Sequence, residues 1–125
     1  MGKLLLGLYL VNSVLLINHE IDSAYWEEWD LFKLPGGLTG FLLLHFPLLF
    51  LILLGLILVH RHSFWGLIFS FALCFGGLFT FTVHTYFLGK GRAEFNKPIS
   101  KFILVAILLV SLVQLGTTFY VMLMI

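Results

Sequence analysis

Three histidines lie within or at the ends of long apolar stretches: His19, His45 and His84. Imidazole nitrogens bind zinc, iron and manganese, and an imidazole beside a carboxylate can transfer protons near neutral pH. We expect at least two of these side chains within roughly 8 Å of one another, close enough to share a metal with bonds of ~2 Å. The residue types therefore indicate a metal site or an acid/base pocket, with the three histidines as catalytic groups and metal ligands.

Three carboxylates are candidates to join these histidines. Glu20 follows His19 directly, and Glu27 lies eight residues beyond His19, on the same helical face if the helix continues. Glu94 lies in the loop that follows the span of His84. We expect Glu27 or Glu20 to be the carboxylate nearest the histidines and Glu27 to take part in catalysis. Glu20 and Glu94 are the expected carboxylate metal ligands, and Glu94 is also a lid residue.

The composition indicates which elements position these side chains. Of the 125 residues, 61% are hydrophobic and 10% are charged, and the mean hydropathy is +1.09. Soluble domains average ~45–50% apolar and ~25% charged residues, so the chain is predicted to be an integral membrane protein. A net charge of +1 with seven Lys and Arg excludes a nucleic-acid surface. The single cysteine, Cys74, excludes a disulfide within the chain.

Apolar runs long enough to cross a hydrocarbon core of ~30 Å define four spans in one domain. The spans are placed at about residues 3–19, 38–60, 63–88 and 98–124. In segment 20–33 the aromatic side chains share one helical face and acids occupy the rest, which predicts an amphipathic helix in the headgroup zone. The predicted fold class is all-α: an integral membrane four-helix bundle with an interfacial amphipathic helix after the first span.

The distribution of Lys and Arg predicts the orientation in the membrane. Five of the seven lie on the side of the first and third loops: Lys33, Lys90, Arg92, Lys97 and Lys101. The opposite side has Lys3 and Arg61. We therefore expect loops one and three in the cytoplasm and both termini outside, in the inner membrane of a bacterium.

A row of small and polar residues on the third span predicts close helix packing. Its members recur at spacings of three and four: Gly66, Ser70, Cys74, Gly77, Thr80 and His84. Small residues at this spacing let another backbone approach, and such packing turns His84 inward. Pro47 lies two residues after His45, removes a backbone N–H and bends the second span. Asn12 and Gln114 fall near mid-membrane, where a hydrogen bond between helices is expected.

The exit of the first span carries a distinctive motif. It reads HEIDSAYWEEWDLF over residues 19–32 and is followed by LPGG over residues 34–37 and by His45-x-Pro47. This pattern resembles a family of small bacterial four-helix membrane proteins of unknown function, over nearly the whole chain. The resemblance implies a membrane-embedded bundle and brings no activity with it.

Two functional hypotheses follow from these residues. In the first, the chain is a small membrane enzyme that acts on a lipid-like or hydrophobic substrate, with zinc or iron as cofactor or by acid/base chemistry alone. In the second, it is a carrier, a proton-linked conduit or a subunit of a larger complex. The lipid bilayer is the expected partner in both, and a homo-oligomer or a membrane partner protein fits either. No HExxH, GxSxG or P-loop motif narrows the reaction class.

Overall fold

A computed structural model describes residues 2–92 and 95–125 of the chain. Within these residues it contains five helices: α1 (Gly2–Tyr25), α2 (Glu28–Leu31), α3 (Gly37–His60), α4 (Phe64–Gly89) and α5 (Pro98–Leu123). All except α2 are long and apolar enough to cross a membrane. The prediction of an all-α protein with four membrane-length helices is therefore confirmed.

The four long helices surround a common interior. α1 and α4 each pack on both α3 and α5, which puts α3 and α5 diagonally opposite. The turn between α3 and α4 is tight, and the Ser63 hydroxyl caps α4 by accepting a hydrogen bond from the Trp65 N–H at 3.2 Å. Pro98 lies in the first turn of α5, where its missing N–H leaves no helical bond unmade. Short connections thus fix the order of the helices around the interior.

The first helix extends beyond the predicted span of residues 3–19. It continues without interruption to Tyr25, because Glu20 bonds to a side chain of α3 and does not need an aqueous end. The chain then turns through Glu27, whose backbone is left-handed with φ of 53°. A single helical turn, α2, follows.

The amphipathic helix predicted over residues 20–33 is therefore divided between α1, a turn and α2. The aromatic residues that were expected on one face also separate. Tyr25 is 70% exposed, whereas Trp29 contacts Phe41 and Phe32 contacts Phe87, with ring centroids 5.5 Å apart in each pair. The left-handed turn at Glu27 redirects the chain, so Phe32 packs against the bundle.

The small residues of α4 pack against both neighbouring helices, as predicted. A Cβ atom added at Gly66 would lie 2.7 Å from the carbonyl oxygen of Leu58 on α3, and one at Gly77 would collide with the Ser111 hydroxyl of α5. Five of the six residues of the row are fully buried: Gly66, Ser70, Cys74, Gly77 and His84. This close approach positions His84 toward the interior.

Replacing Gly66 with alanine is expected to destabilise the bundle. The new methyl group would meet backbone atoms of α3, which cannot rotate away, and overpacking of this kind costs about 1–3 kcal/mol. Gly116→Ala is the matched control, because no heavy atom lies within 4 Å of a Cβ there. Denaturant titrations in detergent should show a lower free energy of unfolding for Gly66→Ala and an unchanged one for Gly116→Ala. Equal stability of the two variants would contradict the packing.

A buried hydrogen-bond network joins α1, α4 and α5 near their middles. The Asn12 amide donates to Gln114 Oε1 at 2.9 Å, and the Gln114 amide donates to Ser70 Oγ at 2.9 Å. Ser70 and Thr118 hydroxyls lie 2.8 Å apart. The predicted bond between the amides of Asn12 and Gln114 is confirmed. The network holds three helices in register and so fixes the position of the polar side chains nearer the bundle end.

Candidate metal and proton-transfer site

His19 of α1 and His84 of α4 meet inside the bundle, near the end where α1 leads into α2. Their ring centroids lie 4.4 Å apart and the rings are nearly perpendicular. The exposed fractions of the two residues are 1% and 4%. The expectation that at least two of the three histidines approach within roughly 8 Å is confirmed for this pair.

Local hydrogen bonds indicate which nitrogen of each ring carries a proton. His84 Nδ1 lies 2.8 Å from the Thr80 carbonyl oxygen and donates to it, because a carbonyl can only accept. The Ser23 hydroxyl donates to the His19 carbonyl oxygen at 2.9 Å, so its oxygen accepts from His19 Nε2 at 3.3 Å. Each neutral ring therefore keeps one unprotonated nitrogen, the form that binds a metal.

Glu28 brings a carboxylate to this pair of histidines. Its Oε1 lies 3.7 Å from His84 Nε2, and one ligand atom from each of His19, Glu28 and His84 lies within 4.8 Å of the other two. Glu28 Oε2 and His84 Nε2 are buried and have no hydrogen-bond partner among the described residues. Buried polar atoms are normally hydrogen-bonded, so two buried atoms of one cluster that lack a hydrogen bond need an explanation.

Glu27, which the sequence favoured, does not occupy this position. Glu27 is exposed, and its left-handed backbone forms the turn between α1 and α2. That turn ends the helical register of α1 before Glu27, so the spacing of eight residues from His19 no longer places the carboxylate on the inner face. Glu28, the first residue of α2, faces the histidines instead.

His45 of α3 pairs with Glu20, the neighbour of His19 on α1. The distance between His45 Nε2 and Glu20 Oε2 is 2.5 Å, and the two side chains are 11% and 21% exposed. Sequence reasoning placed all three histidines and Glu20 in one pocket. The structure instead forms two adjacent groups, the triad His19–Glu28–His84 and the pair Glu20–His45.

The Glu20–His45 pair holds one proton between its two groups. His45 Nδ1 lies 2.7 Å from the Phe41 carbonyl oxygen and donates to it. His45 Nε2 and the Glu20 oxygen would both present lone pairs if neither were protonated, and they could not then approach so closely. A proton lies on one or the other, so the pair can donate it or take it back.

Two aromatic residues cover the triad. The ring of Phe95 lies 4.4 Å from that of His84 and stacks at 5.4 Å on that of His19, and Phe95 is fully buried. Phe32 meets His84 edge-on at 6.0 Å.

The predicted lid residue Glu94 lies outside the described residues. Sequence reasoning missed Phe95, although an isolated aromatic residue in a charged loop was an available signal.

A cavity of about 600 Å³ extends from the triad into the bundle between α1, α3 and α4. His19, Glu20, Glu28 and His84 line one end of it. Most of the remaining wall is aliphatic or aromatic: Leu16, Leu48, Leu51, Ile52, Ile68, Phe69, Ala72, Leu73, Phe79 and Val83. The triad and Glu20, but not His45, thus face an apolar space large enough for a small molecule.

Comparison with known families gives a match over most of the chain. The model of a family of unknown function, DUF6713, matches residues 5–121. The chain belongs to the DUF6713 family. Comparison with curated proteins and with solved structures finds no match.

The remaining histidines of this DUF6713 chain, His60 and His62, lie at the opposite end of the bundle. Both are exposed, and His62 belongs to the turn between α3 and α4. Their position makes them suitable controls for experiments on the buried histidines.

Proposed function

We propose that this protein is a polytopic membrane enzyme in which His19, Glu28 and His84 bind a divalent transition metal, zinc or iron. The Glu20–His45 pair supplies and accepts a proton beside the metal, and the substrate is hydrophobic. The observation that carries the proposal is the cluster of His19, Glu28 and His84 at the polar end of an apolar cavity, in which Glu28 Oε2 and His84 Nε2 are buried without a hydrogen bond.

The donor set suits the proposed metals. Two imidazoles and one carboxylate form both the His₂Glu zinc site of hydrolytic enzymes and the ligand set of non-haem iron oxygenases. Ligand atoms around tetrahedral zinc with bonds of ~2.1 Å lie about 3.4 Å apart. The 3.7 Å between His84 Nε2 and Glu28 Oε1 is close to that value. Three protein ligands leave a coordination position for substrate or water.

The surroundings of the two histidines support the same role. Histidine ligands usually donate their second ring N–H to a carbonyl, a carboxylate or a water, which fixes the tautomer. Thr80 and Ser23 accept those protons from His84 and His19. Phe95 and Phe32 limit access of water, which strengthens electrostatic interactions within the site.

The Glu20–His45 pair has the chemistry of a general acid or base. Glu20 lines the cavity next to the triad, and His45 behind it is oriented by the Phe41 carbonyl. This arrangement resembles an acid/base group held by a third residue, the pattern found in nucleophile and proton-transfer sites. In the proposed enzyme the pair exchanges a proton with a substrate atom bound beside the metal.

A membrane carrier is the second candidate, because the cavity could hold a hydrophobic ligand without converting it.

In either case we infer that segment 26–36 lies in the headgroup zone. The site end of the bundle then faces the cytoplasm of a bacterium, because it carries five of the seven Lys and Arg of the chain.

Metal content tests the proposed enzyme. Protein purified in detergent, stripped with a chelator, reloaded with Zn²⁺ or anaerobically with Fe²⁺ and then desalted should hold one ion per chain by elemental analysis. His19→Ala/His84→Ala should lose the ion, whereas the matched control His60→Ala/His62→Ala should keep it. A folded wild-type protein that retains neither metal, or a control that loses it, would overturn the metal site.

A further inference from the structure

We propose that the cavity binds the extended hydrocarbon tail of a single-chain lipid whose hydroxyl head group lies at the His19–Glu28–His84 triad. The tail enters sideways from the bilayer, between α3 and α4. This inference deepens the proposed function by naming the substrate class, and its head-group part rests on that function.

The dimensions of the cavity favour one long chain. Its wall on α4 runs from Ile68 to His84, a separation of sixteen residues that corresponds to about 24 Å of helix. About 600 Å³ spread over that length is a long space and not a compact one, and a long space matches an extended hydrocarbon chain. The hydrocarbon core of a bilayer is ~30 Å thick, so the cavity extends well past one leaflet.

The polarity of the wall sets the orientation of the lipid. The charged and imidazole groups are confined to the triad end. Near the other end lies Tyr9, whose hydroxyl donates to the Ile52 carbonyl at 2.8 Å and has no further proton to offer. A ligand that is polar at one end and apolar along the rest matches this wall.

The head group follows from the atoms left unpaired. Glu28 Oε2 and the Nε2 of a neutral His84 are acceptors without a hydrogen-bond partner among the described residues, so they require a donor or a cation. A hydroxyl donates its proton to such an acceptor, and its oxygen can coordinate a metal. A carboxylate head group would add a second negative charge beside Glu28 whenever the metal is absent.

The cavity has an opening toward the lipid. Several of its wall residues on α3 and α4 are exposed on the bundle surface, among them Leu51 at 48% and Phe79 at 68%. Both helices are tied together at their turn, where Gly66 packs on Leu58, and the cavity separates them further along. A lipid tail can therefore pass between them without leaving hydrocarbon.

Gly76 offers a way to fill this space without disturbing the helices. It lines the cavity, and no heavy atom lies within 4 Å of a Cβ built there. Gly76→Leu places a branched side chain where the tail would lie. Gly116 of α5 has the same free space and is outside the cavity lining, so Gly116→Leu is the matched control.

The test uses protein in vesicles of saturated phosphatidylcholine and a long-chain alcohol carrying a diazirine midway along its chain. After photolysis, mass spectrometry should find the label on cavity-wall residues such as Ala72 and Phe69. Gly76→Leu should lower labelling of these residues about tenfold, the factor expected when two methylene groups lose their burial. Gly116→Leu should leave it unchanged. Equal labelling in the two variants, or wild-type label confined to the lipid-facing surface of α5, would overturn the tail site.

Zinc content measured in the same samples separates this inference from the proposed function. Gly76→Leu should keep the metal and lose the label. A chain that binds no metal and still labels at Ala72 retains the tail site and loses the metal centre. A chain that binds metal but fails to label there retains the metal centre and refutes the lipid tail.

The diazirine alcohol capped as a methyl ether should label less than the free alcohol, and equal labelling would refute the hydroxyl head group.

Discussion

Replacing Glu28 with glutamine is expected to weaken zinc binding more than about 100-fold. Loss of a residue that only hydrogen-bonds to a metal ligand already costs ~10–100-fold in affinity, and Glu28 is proposed as a ligand itself. The substitution removes a negative charge from the triad and keeps the size of the side chain. Glu28 supplies the carboxylate nearest to His84 Nε2, at 3.7 Å. Competition titrations against a fluorescent zinc chelator in detergent give the dissociation constants.

Glu27→Gln is the matched control for this measurement. Glu27 precedes Glu28 directly and carries the same charge, yet it is exposed in the turn between α1 and α2. Its replacement should change the dissociation constant by less than about threefold, as expected for a solvated charge. A larger effect of Glu27→Gln than of Glu28→Gln would contradict the triad and restore the assignment made from sequence.

Breaking the Glu20–His45 pair is expected to destabilise the bundle by about 2–3 kcal/mol. The value falls below the ~3–5 kcal/mol of fully buried pairs because both side chains keep some exposure. In His45→Leu the Glu20 carboxyl loses its partner, and in Glu20→Leu the His45 ring does. Denaturant titration in mild detergent measures each loss.

The double variant Glu20→Leu/His45→Leu should be more stable than the sum of the two single losses predicts. Removing both partners leaves no unpaired polar group in the interior, so the double-mutant cycle should show coupling of at least about 1 kcal/mol. Strict additivity would mean that the two groups do not interact. The zinc affinity of the double variant should stay close to that of the wild type, because neither residue belongs to the triad.

The spans could be predicted because apolar runs of membrane length leave few alternatives. The end of the first helix could not, because it depends on a partner. Glu20 and Ser23 resemble a polar helix exit when the sequence is considered alone, yet Glu20 bonds to His45 and Ser23 to the His19 carbonyl. The tertiary bond of Glu20 to α3 and the local bond of Ser23 within α1 let the helix continue to Tyr25, which displaced the predicted interfacial helix.

The meeting of His19 and His84 was predictable from shared depth and from the packing row of α4. The identity of the carboxylate was not. Two adjacent glutamates follow the first span, and the backbone conformation of Glu27 decides which one faces inward. A left-handed residue other than glycine is uncommon and is not encoded in helical periodicity. Phe95 was missed for a similar reason, because its burial depends on tertiary contacts of its ring with His19 and His84.

X-ray absorption at the zinc edge of the metal-loaded wild-type protein identifies the atoms bound to the ion. We expect nitrogen and oxygen ligands at ~2.0–2.2 Å with outer-shell scattering from two imidazoles, unchanged in His60→Ala/His62→Ala. His84→Ala should reduce the imidazole signal to one ring if zinc is still held. A first shell of oxygen alone, or an imidazole signal that disappears when His60 and His62 are replaced, would contradict a metal centre at His19, Glu28 and His84.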